Sequence, residues 1–222
     1  MKPLAGSLAA IALVAGASSA HALTVHTAPF IGVVTATNAF EAAPAGCCYD
    51  GTAGYTEQGI TATYVGRPGT ITFGFPLNGA RTWYPDGGGY GYTRLTFGGP
   101  VSAVQFLVGS GYAWFDPAPF LFYDVLLGGV SIGTGIAGGG AVFGSSGFWY
   151  GFSGATFDEV RLQVRNDGGA AFDPVAYEAG AFDMIQIGAA GVIPEPGTWA
   201  LLVAGFGLVG GALRRRREAL AA

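Results

Sequence analysis

The sequence predicts an all-β chain: an antiparallel β-sandwich or jelly roll, preceded by an N-terminal signal peptide and followed by a single C-terminal transmembrane helix. Three observations carry this. Short apolar-alternating runs recur between turn-forming clusters, no stretch of the middle holds a helical period, and the two charge-poor apolar segments lie at the ends. Of 222 residues, half are hydrophobic and 11% are charged, which excludes a charge-rich disordered chain. Forty glycines and twelve prolines supply the turns, with no Gly-X-Y period.

The chain divides into residues 1–22 as signal peptide, 23–191 as the β domain, 192–217 as a C-terminal signal and 218–222 as a cytoplasmic tail. Lys2 gives the signal its positive start, Leu8 to Ala17 its apolar stretch, and Ala20-His21-Ala22 its small-x-small cleavage site for signal peptidase. That apolar stretch is too short to cross a bilayer core about 30 Å thick.

In the β domain, Val160-Arg161-Leu162-Gln163-Val164 alternates cleanly, as does Ile71-Thr72-Phe73-Gly74-Phe75. Seven more strands are expected at Ile60–Val65, Thr93–Phe97, Val101–Val108, Phe120–Leu127, Val130–Gly133, Phe148–Phe152 and Phe182–Ile187. Gly, Pro, Asn and Asp clusters separate them. A β-solenoid would need a fixed repeat, and none is visible.

At the C-terminus, Trp199 to Leu213 is free of charge, and 15 helical residues span about 22 Å. Trp199 suits one membrane interface, and Arg214, Arg215, Arg216 and Arg217 suit the cytoplasmic one. Before it, Pro194-Glu195-Pro196 holds the chain extended and accessible to an enzyme. Pro194, Glu195, Pro196, the following Thr198, Trp199 and Ala200, the Gly-rich apolar helix and the arginine block together resemble the PEP-CTERM sorting domain, in its Trp-Ala variant. The resemblance covers about an eighth of the chain. It implies processing by exosortase at the Pro-Glu-Pro motif of an inner-membrane-anchored precursor in a Gram-negative bacterium. It further implies delivery to the cell surface or to an extracellular matrix of exopolysaccharide and biofilm.

The domain itself offers little catalytic chemistry. Between residues 23 and 191 it has 12 acidic residues, 5 arginines, no lysine and one histidine, His26. Its net charge near −7 argues against nucleic acid as a partner. Without lysine there is no P-loop and no Schiff base. One histidine and two adjacent cysteines do not make a zinc site. Asp116, Asp124, Asp158, Glu159, Asp173, Glu178 and Asp183 could in pairs serve glycoside hydrolysis, so a secreted glycan-active hydrolase is the alternative to a non-catalytic domain. Trp83, Tyr84, Tyr90 and Tyr92 flank a three-glycine loop and are the candidate sugar contacts, because flat rings suit the apolar faces of sugars. Asp158 and Asp183, near strand ends, are the candidate calcium ligands, calcium being the one cofactor the residues suggest. Cys47 and Cys48 leave a vicinal disulfide, an intermolecular bond and reduced thiols open.

Overall fold

The computed structural model describes residues 22–67, 69–74, 77–85, 88–111, 120–139, 147–166, 168–169, 171–190 and 206. Residues 1–21, nearly all of the expected signal peptide, and the segments 191–205 and 207–222 therefore lie outside the described residues. Thirteen strands are present among them: β1 (Thr24–His26), β2 (Ile31–Asn38), β3 (Tyr49–Asp50), β4 (Tyr55–Glu57), β5 (Ile60–Arg67), β6 (Thr70–Thr72), β7 (Tyr84–Pro85), β8 (Gly89–Ser110), β9 (Phe120–Leu127), β10 (Val130–Gly139), β11 (Phe148–Arg165), β12 (Tyr177–Glu178) and β13 (Gly180–Ala190). Every pairing is antiparallel. No helix among the described residues is long and apolar enough to cross a membrane.

Ten strands form one sheet, and β3, β6 and β7 form a small second one. Two strands are much longer than expected. The runs at Thr93–Phe97 and Val101–Val108 are one 22-residue strand, β8, and those at Phe148–Phe152 and Val160–Val164 are one 18-residue strand, β11. Both bend where the sequence reads as a turn. In β8 the bend is the exposed Gly98-Gly99-Pro100, and in β11 the register shifts between Ser153 and Phe157 and again before Glu159. A proline there withholds no needed ladder donor, and the bulged partner strand bends with it.

These two bends divide the large sheet into two arms. In the first arm the order is β4, β5, the front of β8, the back of β11, β9 and β10. In the second it is β1, the front of β11, the back of β8, β13 and β2. The arms enclose one core. Ile60, Ala62, Tyr64, Leu95, Tyr123, Val125, Val160, Leu162 and Val164 of the first arm belong to the same buried cluster as Val104, Phe106, Phe152, Phe182 and Ile185 of the second. Tyr123 and Phe152 meet across it with ring centroids 4.8 Å apart.

Strict alternation fixes what the first arm turns outward. Since Ile60, Ala62 and Tyr64 point to the core, Thr61, Thr63, Val65 and Arg67 point away from it. Where β5 faces β8, Gly66 lies opposite Gly91, with φ of +154° and +150°. A Cβ on either would overlap the backbone of the other strand. Only glycine adopts this conformation without strain. Gly91→Ala is therefore expected to cost about 3 kcal/mol, seen as a lower urea midpoint at unchanged slope.

Candidate functional site

The outer face of the first arm carries a groove of 530 Å³ lined by Val65, Gly66, Arg67, Tyr90, Tyr92, Pro174 and Val175. Its floor is the β5–β8 ladder, in which Arg67 faces Tyr90, Val65 faces Tyr92 and Thr63 faces Arg94. Its wall is the segment before β12. Gly91 donates its amide to the carbonyl of Ala176 at 3.0 Å. The buried Gln163 side chain donates to the carbonyls of Gly91 and Asp173 and accepts the Asp173 amide at 3.1 Å. The Gln163 side chain thus joins the Gly91–Ala176 backbone bond in fastening the wall to the floor.

The rings of the groove differ in setting. Tyr90 is 61% exposed and meets Tyr177 edge-on at 5.2 Å, while Tyr177 itself is 40% exposed. Tyr92 is nearly buried, with Phe172 edge-on at 5.4 Å and the Arg161 guanidinium 5.5 Å from its ring centre. Arg161 lies opposite Arg94 on one side and Asp124 on the other. It donates through Nε to Glu159 at 2.6 Å and lies 3.7 Å from Asp124. Burial works against its charge, but Glu159 and Asp124 outweigh this and hold its pKa above the ordinary value. No carboxylate lines the groove among the described residues.

The four aromatic candidates do not act together. Trp83 is 1% exposed, so it is corrected from a sugar contact to a core residue. It exchanges backbone hydrogen bonds with Phe182, which turns its ring inward against Phe40 and Phe73, and its indole N–H donates to Thr93 Oγ1 at 3.1 Å. Tyr84 is half-buried and packs on Leu77 and Ala181, away from the groove. Tyr90 and Tyr92 remain. Register alone adds Arg67, Arg94 and Tyr177, and their outward alternation along β5, β8 and β12 was the signal available for them.

Asp158 and Asp183 are not brought together. Asp158 accepts the Gly128 amide and caps the β9–β10 turn. Asp183 lies in the other arm, 0% exposed, and accepts the amides of Met184 (2.6 Å) and Asn78 (3.0 Å) and the hydroxyl of Thr82 (3.4 Å). Burial pushes its pKa up to about 7, a poor state for a calcium ligand, although these hydrogen bonds oppose the shift. No group of three His, Cys, Asp or Glu side chains converges among the described residues.

Of the other acids, Asp124 and Glu159 pair with Arg161, and Asp173 accepts the Val175 amide. Glu178 of β12 is wholly buried, its Oε2 accepts the amides of Gly180 and Val164, and its Oε1 has no hydrogen-bond partner among the described residues. Asp116 lies outside the described residues. Cys47 and Cys48 are joined to each other, Cα to Cα 3.8 Å, in the turn before β3.

Of the residues expected at the signal cleavage site, Ala20 lies outside the described residues, and Ala22 is exposed beside Gly154 of β11. Pro194, Glu195, Pro196, Thr198, Trp199, Ala200 and Arg214 to Arg217 all lie outside the described residues, as does the tail 218–222.

Neither a curated protein nor a solved structure matches the chain. Residues 192–217 match the family described as the PEP-CTERM protein-sorting motif. The chain thus carries a PEP-CTERM sorting motif, which implies an exported, membrane-anchored precursor processed by exosortase.

Proposed function

We propose that processing frees the folded part of this chain to serve at the cell surface or in the extracellular matrix of a Gram-negative bacterium, as a non-catalytic β-sandwich or jelly-roll domain that contacts glycan. The sorting motif supports the destination. The observation that carries the glycan contact is the groove with the exposed Tyr90 ring over a floor of Val65 and Tyr92. Aromatic faces beside accessible backbone and guanidinium donors match the apolar faces and hydroxyl rims of sugars. A hydrolase would need two carboxylates facing each other across such a groove. The lining described above offers none.

Replacing Pro194-Glu195-Pro196 by three alanines tests the destination. The expected result is a full-size, membrane-bound form that accumulates in the producing cell while the released form disappears, read by immunoblot of membrane and medium. Release at the normal rate refutes the sorting role. Reducing sugar freed from the host polysaccharide by the purified protein would instead favour the enzyme.

A further inference from the structure

Between residues 23 and 191 acids outnumber arginines by 12 to 5, yet four of the five arginines occupy outward positions of the first arm: Arg67 on β5, Arg94 on β8, and Arg161 and Arg165 on β11. Arg165 is buried over the Phe122 ring, 4.1 Å from its centre, and is part of the sheet's own packing. Of the other three, Arg67 lines the groove, Arg161 lies against its Tyr92 ring, and Arg94 follows Tyr92 by two residues on the same face of β8.

Arg94 and Arg161 face each other in register on neighbouring strands, an arrangement that like charges disfavour. Both nearby carboxylates, Glu159 and Asp124, are engaged by Arg161. The Asp173 carboxylate is turned back onto the Val175 amide, and Asp158 onto Gly128. Among the described residues Arg94 and Arg67 have no ion pair, and Arg94 Nε has no acceptor. Two cations without an ion pair among the described residues thus flank the tyrosines. Arg67 is level with Tyr90, and Arg94 is four residues further along the same strand, a separation of about 13 Å.

We propose that this face binds an acidic polysaccharide, Tyr90 and Tyr92 supporting the sugar rings while Arg67 and Arg94 pair with carboxylate or sulfate groups spaced along the chain. Guanidinium meets both anions with paired N–H donors, so the shared feature is an oxyanion on a sugar. The inference rests on the glycan reading above and narrows it to anionic chains.

The test is affinity electrophoresis of the full-length chain in detergent through gels containing alginate, dextran sulfate, neutral dextran or poly-glutamate. Retardation by alginate or dextran sulfate is expected, the stronger of the two naming carboxylate or sulfate. Neutral dextran should leave mobility unchanged. Arg67→Gln with Arg94→Gln should weaken binding about 10- to 100-fold. Arg94→Lys, which keeps the charge and loses the paired donors, should weaken binding less than Arg94→Gln, and thermal unfolding of the variants reports that the fold is intact. Equal retardation by neutral dextran, unaffected by the arginine changes, would overturn the anionic claim and leave the glycan reading standing. Retardation by poly-glutamate as strong as by alginate would overturn the sugar specificity. No retardation by any polysaccharide would overturn both readings.

Discussion

Trp83→Ala should destabilise the domain by about 3–5 kcal/mol, whereas Tyr90→Ala should leave stability within about 0.5 kcal/mol of the parent. The two rings come from the same glycine-rich stretch and have the same apparent credentials as sugar contacts. Their settings are opposite. Trp83 is among the largest fully buried side chains, wedged between Phe40 and Phe73 in the core cluster. Its removal leaves a cavity and also strips the buried Thr93 hydroxyl of its indole donor. Tyr90 is mostly in solvent, and its loss forfeits only the edge contact with Tyr177. Urea unfolding of both variants, followed by tryptophan fluorescence for Tyr90→Ala and by circular dichroism for Trp83→Ala, gives the comparison. A small effect at Trp83 would mean that its ring is not a core element. A large one at Tyr90 would mean that the groove is part of the fold's support rather than a free surface.

This contrast marks what can be read from the residues. Alternation located the strands with buried faces, because Ile60, Ala62 and Tyr64, or Val160, Leu162 and Val164, must share one side. It did not show that Thr93–Phe97 and Val101–Val108 are one strand. Gly98-Gly99-Pro100 has turn chemistry, and whether such a triplet reverses the chain or bends it depends on the neighbours that pair across it. It passed over β2, whose Val33 and Val34 are both well exposed at a sheet edge and so give no clean two-residue period. The groove was half legible. Tyr90 and Tyr92 stand out as aromatics among glycines, but Arg67, Arg94 and Tyr177 come from other strands and join them only through register. The acids were legible as residues and not as states. Burial separates the arginine-paired Glu159 from the enclosed Glu178, and burial is a property of the packed chain.

That enclosed glutamate should make the domain markedly less stable at pH 8 than at pH 5. Glu178 is 0% exposed, and burial pushes its pKa from 4.5 to about 8, although the Gly180 and Val164 amides favour the anion. Between these two values the folded chain keeps a proton that the unfolded chain releases. Folding stability therefore falls as pH rises through the window and stops falling once the folded carboxyl also ionises near pH 8. For this one group the full loss is roughly 5 kcal/mol, a large share of what a domain of this size holds. Asp183, raised to about 7 by its burial, adds a slope of the same sign between its ordinary value of 3.8 and about 7. Glu178→Gln keeps the two accepted hydrogen bonds through its amide oxygen and cannot ionise. Its urea midpoint should match the parent near pH 5, exceed it clearly at pH 8, and retain only the shallower slope that Asp183 supplies. Parallel pH profiles for the two proteins would show that Glu178 is already ionised at neutral pH, with water or a cation reaching its unpartnered Oε1. With Glu178 and Asp183 both raised, the expected profile places the highest stability in mildly acidic solution.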